Sequence, residues 1–413
     1  MKNTYRIATA AAGCLALAAS LSAQGQDWPQ WRGPNRDGKA ANFTAPATWP
    51  KELAQKWKVT VGAGDASPAL VGDKLYVFAR QEDNEVISCL DAAKGEPVWS
   101  DKYEVPAISG ADAAIHSGPR SSPTVADGKV FTLGVCGTVS CLEAAKGKVL
   151  WRKDDFKGAW PQFHLADSPL VADGLCIVLL GSDRNGGVVA YDVASGDQKW
   201  KWTDEGPGYA SPVLLTVAGA KMIVTLTSRS VVGLSVADGK LLWQAAFAPA
   251  GRMGYNAATP IVDGQTVIVC GSGRGAKALK IEKDGDAFKA TELWTNPDNA
   301  VQFNTPVLKN GLLFGVSQNG KFFCINAKSG QTAWTDPTGQ RTRRGFGSVV
   351  DAGSVLLALT ESSQLTVFQP SDKEYTEVAS FKVADKQTYA YPVPAGKGIY
   401  IKDQDSLTLY TVD

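Results

Sequence analysis

Short apolar runs separated by turn residues repeat along almost the whole chain. Each unit opens with a small residue and a proline, continues with three apolar strands, and ends with a glycine turn and a strand that carries tryptophan. The units begin at Ser67, Ser122, Ser168, Ser211, Thr259 and Thr305, with two degenerate copies at Ser348 and Tyr391. Seven steps separate the first start from the last, a mean of about 46 residues, and four strands at that period predict a β-propeller.

The number of copies predicts how the ring closes. Seven units are complete, whereas the last, "AYPVPAGKGIYIKDQDSLTLYTV", has three strands and no tryptophan strand. The missing strand is found near the N-terminus as "AQKWKVTVG", around Trp57. The sequence therefore predicts an all-β, eight-bladed β-propeller of four-stranded antiparallel blades over residues 53–413. An N-terminal strand would complete the last blade and remove its exposed edge.

The repeated tryptophans predict packing, because a residue present in nearly every copy cannot be catalytic in all of them. A large flat indole at the end of a blade can wedge against the next blade. The tryptophans assigned to this structural role are Trp57, Trp99, Trp151, Trp200, Trp243, Trp294 and Trp334. Cys89, Cys141 and Cys324 share one repeat position, where we predict small buried residues without disulfides.

The ends of the units, "DAAKGEPVW", "EAAKGKVLW" and "VADGKLLW", resemble the PQQ-type repeat. The chain is thus similar, over residues 53–413, to the PQQ-like propellers of quinoprotein dehydrogenases and BamB-like exported scaffolds. This resemblance is specific for the fold. It implies two different kinds of activity, because the same blades serve enzymes and scaffolds.

The N-terminus predicts export. Lys2 and Arg6 precede an apolar run that ends at Leu21, and small residues follow, so residues 1–23 read as a signal peptide and the mature protein as periplasmic or secreted. Ala11 stands where a lipoprotein box has leucine, which does not favour a lipid anchor at Cys14. No later apolar run has the length of a membrane-spanning helix. A net charge of +1 without long runs of one sign excludes a nucleic-acid surface, and we expect a monomer.

The segments just before each small-residue–proline pair are predicted to form the ligand face. Both histidines of the protein fall there, together with arginine, tyrosine and asparagine side chains, whereas the opposite turns are mostly Gly, Asp and Lys. The predicted ligand-binding residues are His116, Arg120, His164, Asp167, Tyr209, Asn256, Asn304 and Arg344. Tyr255, Gln302, Arg343 and Tyr389 lie in the same segments.

Asp167 and Asn304 break the rule that the residue before each pair is small. They could hold an ion, a water chain or a ligand, with Asp167 as the candidate catalytic residue, or they could bond neighbouring backbone groups in a crowded channel. His116, His164 and Asp167 lack a further ligand at suitable spacing, so no metal site is predicted.

The favoured function is a binding or scaffold module that takes a protein, peptide or small molecule on its ligand face. The alternative, implied by the resemblance, is a PQQ-dependent dehydrogenase that oxidises an alcohol or sugar with bound Ca²⁺. The adjacent Cys-Cys pair of the alcohol-oxidising members is absent from the sequence. No Ca²⁺ ligand set can be carried over either, so no cofactor is assigned with certainty.

Residues 24–52 form a Trp- and Pro-rich arm that contains "DWPQWRGPNRDG". Proline after Trp28 favours extended geometry, which brings Trp28 and Trp31 to one side. In one interpretation these indoles cover the seam of the ring. In the other, Arg32 and Arg36 cap the ligand face and bind an anionic ligand.

Overall fold

A computed structural model describes residues 27–108, 115–249, 251 and 254–413. The predicted signal peptide and Cys14 lie outside the described residues. The described residues form 32 strands arranged in eight four-stranded antiparallel sheets. The chain is an eight-bladed β-propeller, as the repeat predicted.

Blades 1 to 4 follow each other along the chain. Blade 1 comprises β2 (Ala69–Val71), β3 (Lys74–Gln81), β4 (Asn84–Asp91) and β5 (Pro97–Glu104). Blade 2 comprises β6 (Thr124–Ala126), β7 (Lys129–Leu133), β8 (Val139–Glu143) and β9 (Val149–Lys153). Blade 3 comprises β10 (Leu170–Ala172), β11 (Leu175–Gly181), β12 (Gly186–Asp192) and β13 (Gln198–Trp202). Blade 4 comprises β14 (Val213–Val217), β15 (Ala220–Leu226), β16 (Ser230–Ser235) and β17 (Leu241–Ala246).

Blades 5 to 8 complete the ring. Blade 5 comprises β18 (Ile261–Asp263), β19 (Thr266–Gly271), β20 (Gly275–Asp284) and β21 (Ala287–Asn296). Blade 6 comprises β22 (Val307–Lys309), β23 (Leu312–Val316), β24 (Phe322–Asn326) and β25 (Thr332–Thr335). Blade 7 comprises β26 (Gly347–Asp351), β27 (Leu356–Thr360), β28 (Gln364–Phe368) and β29 (Glu377–Lys382). Blade 8 comprises β30 (Val393–Ala395), β31 (Gly398–Lys402), β32 (Ser406–Thr411) and β1 (Ala54–Thr60).

Blade 8 is closed by the strand predicted for that purpose. β1 pairs antiparallel with β32, with Trp57 opposite Leu409. The buried Lys402 strengthens this seam, because its ammonium donates to the carbonyls of Gly62, Gly64, Asp403 and Gln404. Burial lowers the pKa of Lys402 to about 8. The N-terminal strand is therefore held by a ladder of backbone bonds and by one internal cation.

Each tryptophan strand docks on the following blade. The indole N–H of Trp99 donates to the carbonyl of Ala144, 3.0 Å away, at the turn between β8 and β9. Gly147 of that turn has φ +70°, and a Cβ there would lie 2.4 Å from the Trp99 ring. Glycine is thus required twice at this point, for its left-handed backbone and for the close approach of the indole. Cys141, like the residues at its position in other blades, lies opposite the tryptophan of its own sheet.

Blade 5 departs from the repeat. β20 and β21 form a long hairpin in place of the short glycine turn. Trp243 of blade 4 still packs against Val267 and Ile281 of blade 5. Without the usual carbonyl, its indole N–H points to the sulfur of Met222, 3.0 Å away.

The first strand of each blade lies innermost, against the first strands of its neighbours. Because the sheets are antiparallel, the segments that link one blade to the next share one face of the disc with the turns between second and third strands. We call this the upper face, and the opposite one the lower face. The six cysteines of the described residues, Cys89, Cys136, Cys141, Cys176, Cys270 and Cys324, are buried and unpaired.

Candidate functional site

Aromatic side chains from seven of the eight inter-blade segments meet on the upper face. They are His116, Phe163, Tyr209, Tyr255, Phe303, Phe346 and Tyr389, which together we call the ring surface. Tyr255, Phe303 and Phe346 stack in parallel, with centroids 4.8 and 4.5 Å apart. Phe346 also stacks on His116, 6.5 Å away, which comes from blade 2 on the other side of the channel. The rings therefore reach across the mouth of the central channel.

The ring surface is open to solvent at its centre. Phe303 is 39% exposed, although it is a large apolar side chain in contact with two other rings. Most other members are half-buried. Recognition sites are typically rich in aromatic side chains, which supply a large contact area. The ring surface, made by rings from several blades, has this composition.

The eighth inter-blade segment contributes a carboxylate to this surface. Oδ2 of Asp65 lies 2.6 Å from Nδ1 of His116. Because a carboxylate accepts, Nδ1 of His116 carries a proton and donates it to Asp65. His116 also contacts Tyr389 edge-to-face, with centroids 4.6 Å apart. The structure thus places the predicted ligand residue His116 at the edge of the aromatic area, oriented by a residue that the sequence analysis did not single out.

Arg120 and Tyr209 fasten neighbouring segments together. The Arg120 guanidinium donates to the carbonyls of Phe163 and His116, and the Tyr209 hydroxyl accepts from the backbone N–H of Phe163. Burial lowers the pKa of Arg120 and raises that of Tyr209 to about 12. Both predicted ligand residues therefore support the ring surface, and Tyr209 also belongs to it.

His164 is buried beside the ring surface and packs on an aromatic residue of its own segment. It is 5% exposed, has φ +63°, and its ring stacks on Trp160 at 5.4 Å. Burial and the nearby Arg120 lower its pKa. Among the described residues, no group of three His, Cys, Asp or Glu side chains could hold a metal ion.

Asp167 and Asn304 are buried where the innermost strands begin. Oδ2 of Asp167 accepts from the N–H of Leu179, and the amide of Asn304 donates to the carbonyls of Val316 and Gly345. Oδ1 of each residue is buried without a hydrogen-bond partner in the described structure. Burial raises the pKa of Asp167 to about 7. Both interpretations of these residues therefore remain predictions: each bonds backbone groups, and each has one acceptor left over.

Asn256 is fully engaged by its own surroundings. Its amide donates to the carbonyls of Thr227 and Phe247, and its Oδ1 accepts from Arg274 at 2.8 Å. Asn256 is 1% exposed. Its role in ligand binding stays a prediction, because this geometry positions Arg274 and offers no free group.

A cleft of about 620 Å³ adjoins the ring surface at blade 7. It lies between the segment leading to Phe346, the turn around Ser362 and the segment leading to Tyr389. Arg343 lines this cleft, and both Arg343 and the predicted ligand residue Arg344 are exposed. Neither guanidinium makes a hydrogen bond or ion pair with a described residue, although both backbone N–H groups are bonded.

The arm closes the channel from the lower face. Trp28 pairs with Leu70 of β2 through two backbone hydrogen bonds of 2.8 and 2.9 Å and is buried in the cluster at the seam of blades 8 and 1. Trp31 donates to Thr259 and contacts Tyr391 at 4.7 Å. The indoles thus cover the seam, as one interpretation of the arm predicted.

The arginines of the arm bond to the protein itself. Arg32 donates to the carbonyls of Thr305 and Pro306 at 2.7 and 2.9 Å. Arg36 donates to those of Ser168 and Pro169 at 2.8 Å. These acceptors belong to blades 6 and 3 at the start of their innermost strands, so the arm spans the channel. The geometry favours the structural interpretation over an anion site made by Arg32 and Arg36.

The residues present do not fit a Ca²⁺–PQQ site. Ca²⁺ needs six to eight oxygen ligands, but Asp65 is engaged by His116, and Asp167 is fully buried with one oxygen on a backbone N–H. Stacked rings of the protein itself lie at the mouth of the channel. No step of a dehydrogenase reaction follows from this arrangement.

The sequence analysis selected the face on which these rings meet, but it did not predict the rings themselves; that this face binds a ligand stays a prediction. Phe163, Phe303 and Phe346 stand in the segments that it selected, yet it weighed polar residues only. Asp65 precedes the first small-residue–proline pair by two positions. The signal available was an aromatic residue two positions before the pair in four segments, at Tyr209, Phe303, Phe346 and Tyr389.

The fold and the site define an eight-bladed PQQ-type propeller with an aromatic surface on one face and a plugged channel. The chain belongs to the family of outer membrane protein assembly factor BamB, whose family profile matches residues 82–336.

Individual relatives agree with this assignment. Outer membrane protein assembly factor BamB of Burkholderia pseudomallei is 25% identical over 304 residues, which cover 70% of this chain and 61% of that protein. The crystal structure of BamB from Moraxella catarrhalis superposes with a TM-score of 0.64 at 12% identity, covering 87% of this chain and 99% of that one. Quinohemoprotein alcohol dehydrogenase from Comamonas testosteroni gives 0.72 at 14% identity, covering 95% and 81%. These two structural likenesses show the fold alone. In the described residues, no helix has the length and apolar character needed to cross a membrane.

Proposed function

We propose that this protein is an exported binding module that holds a segment of another polypeptide on its upper face and so acts as a scaffold. The N-terminal sequence supports export to the periplasm or beyond. The family of outer membrane protein assembly factor BamB supports a role among proteins that pass through that compartment.

The ring surface is the observation that carries this proposal. Seven rings from seven blades form one contiguous apolar area, and Phe303 at its centre is 39% exposed. Exposed apolar area on a soluble protein is costly, and when contiguous it marks interaction sites. Four of the seven rings carry a polar group, but those of His116 and Tyr209 are already bonded within the protein. The small number left to fix a single small molecule favours a polypeptide that buries several of its own side chains.

A peptide-display experiment tests the proposal. A library of random dodecapeptides would be selected against the purified protein, and the enriched peptides measured by fluorescence anisotropy against Phe303→Ser. We expect at least a tenfold loss of affinity, because an aromatic residue at the centre of an interface often dominates its binding energy. Leu293→Ser is the matched control, since Leu293 is 50% exposed on the outer strand β21. Failure to enrich any peptide, or equal losses in the two variants, would contradict the proposal.

A further inference from the structure

We infer that the polypeptide segment bound on the upper face is acidic and aromatic: an aromatic side chain packs on the ring surface, and neighbouring carboxylates pair with Arg343 and Arg344. This inference rests on the proposed function and names its ligand class. Four features of blade 7 and its surroundings support it.

The first feature is a pair of uncompensated cations. Arg343 and Arg344 are adjacent, exposed and without hydrogen bonds or ion pairs from their guanidinium groups to described residues. Three other arginines of the upper face are engaged: Arg120 by carbonyls, Arg274 by Asn256, and Arg341 by Asp336. A guanidinium has five donors suited to a carboxylate in bidentate geometry. The two free groups therefore form a site for acidic side chains.

The second feature is the position of these cations. Arg344 lies two residues before Phe346 of the ring surface, and it is close enough to Tyr389 to oppose the rise in pKa that burial imposes on that tyrosine. Arg343 lines the cleft and precedes Phe346 by three residues. Aromatic and anion-binding groups are thus neighbours, so one segment can engage both.

The third feature is the sign of the charge around the cleft. Four cations line it, Arg341, Arg343, Lys382 and Lys386, against the carboxylates of Asp385 and the buried Glu361. Arg341 is paired with Asp336 and Lys386 with Asp405, so Arg343 and Lys382 supply the uncompensated positive charge. On the far side of the upper face, around blades 3 and 4, four carboxylates are exposed, Asp154, Asp155, Asp183 and Asp204, beside three cations, Lys157, Arg184 and Arg229. This asymmetry favours one orientation, with the acidic part of a ligand at blade 7.

The fourth feature favours a polypeptide over a small aromatic acid. The rings form a row from Phe163, through Tyr255 and Phe303, to Phe346, and the cleft lies beyond that row. Phe303 at its centre is the most open position. An extended chain rises about 3.3 Å per residue, so a few residues of one segment reach from Phe303 to the arginines.

The experiment uses four labelled dodecapeptides in a Gly/Ser background: Phe with two glutamates, Phe with two lysines, Ser with two glutamates, and Phe alone. Affinities would be measured by fluorescence anisotropy at pH 7.5 in 50 and 300 mM salt. The Phe/Glu peptide should bind at least tenfold more tightly than the Phe/Lys and Ser/Glu peptides. Added salt should weaken it most, because the exposed pairs are screened.

The variants assign the effect to residues. Arg343→Glu with Arg344→Glu should reverse the preference, so that the Phe/Lys peptide binds more tightly. Arg184→Glu is the control: Arg184 is also exposed on the upper face without a partner, but it lies in the β11–β12 turn of blade 3. Its substitution should leave the preference unchanged.

The outcomes separate this inference from the proposed function. Equal binding of all Phe peptides, abolished by Phe303→Ser, would overturn the acidic preference while the binding module stands. Equal effects of Arg184→Glu and the double variant would also overturn it. If phenylacetate displaced the Phe/Glu peptide at concentrations equal to the peptide's, a small aromatic acid would be the ligand instead. Absence of binding by all four peptides would overturn the inference, and the display selection would then decide the proposed function independently.

Discussion

Two arginine pairs, one on each side of the central channel, have opposite environments. Arg32 and Arg36, which the arm carries into the channel from the lower side, are 1% and 4% exposed and donate to backbone carbonyls of blades 6 and 3. Arg343 and Arg344 on the upper side are exposed, and their guanidinium groups have no partner in the described structure. Both pairs stand next to aromatic residues in Pro- or Gly-containing loops, so sequence composition alone does not distinguish them.

The difference shows where the molecule commits its polar groups to folding and where it leaves them available. A buried guanidinium is tolerable only when protein acceptors replace water. On the lower side that requirement is met, and burial lowers the pKa of Arg36 only to about 9, so it remains charged at neutral pH. On the upper side water satisfies the arginines, and a ligand carboxylate can displace it.

The largest expected effect on stability comes from removing the tryptophan contacts of the arm. The double variant Trp28→Ala with Trp31→Ala should lower the free energy of unfolding. Loss of the fully buried Trp28 alone should cost roughly 3 to 5 kcal/mol, because its ring belongs to the seam cluster with Leu70 and Leu407. Thermal and urea unfolding would measure the loss. Leu150→Ala, on the exposed face of β9, is the control.

Ligand binding would be followed on the same samples. The arm contacts the channel from below, so peptide affinity per folded molecule should persist in the double variant. An unchanged melting temperature together with lost binding would instead make the arm part of the site.

The second prediction compares the arginines directly. Arg32→Met should destabilise by about 3 kcal/mol, since it leaves the carbonyls of Thr305 and Pro306 buried without donors. Arg344→Met should change stability by less than about 0.5 kcal/mol, as is usual for exposed positions. Urea unfolding of both variants at pH 7.5 would provide the test. Similar losses in the two variants would remove the contrast between the two sides.

The architecture could be predicted from the sequence because each blade corresponds to one copy of a sequence repeat. Blade number, closure by the Trp57 strand and the glycine under each indole depend on local pattern and on one packing relation used many times. The exception, the long β20–β21 hairpin, is an insertion that interrupts the period, so the change in the surroundings of Trp243 was not foreseen.

For the candidate site, the sequence predicted only which face of the propeller carries it and not how its side chains are arranged. Which rings meet across the channel depends on the conformations of irregular segments, and a contact such as that of His116 with Phe346 joins residues 230 positions apart. No periodicity encodes it. The burial of Asn256 could not be predicted either, because the sequence does not distinguish an asparagine that binds a ligand from one that bonds to the backbone.

The smallest expected effect concerns Asp167, the candidate catalytic residue, which lies between the two sides. Burial raises its pKa from 3.8 to about 7, although the N–H of Leu179 and the charge of Arg36 favour the ionised form. Between about pH 4 and pH 7 the folded protein therefore keeps a proton that the unfolded chain releases, and stability falls as pH rises through this window.

Asp167→Asn removes that titration. The variant should show a flatter pH dependence between pH 4 and 7, the slopes differing by at most about 1.4 kcal/mol per pH unit, which is the limit for one proton. Urea unfolding at half-unit steps from pH 4 to 8 would measure it, with Asp204→Asn on the exposed upper rim as the control. If Asp167→Asn and the wild type had parallel profiles while peptide affinity fell in the variant, Asp167 would act on the ligand through the channel mouth, and the separation between the two sides would not hold.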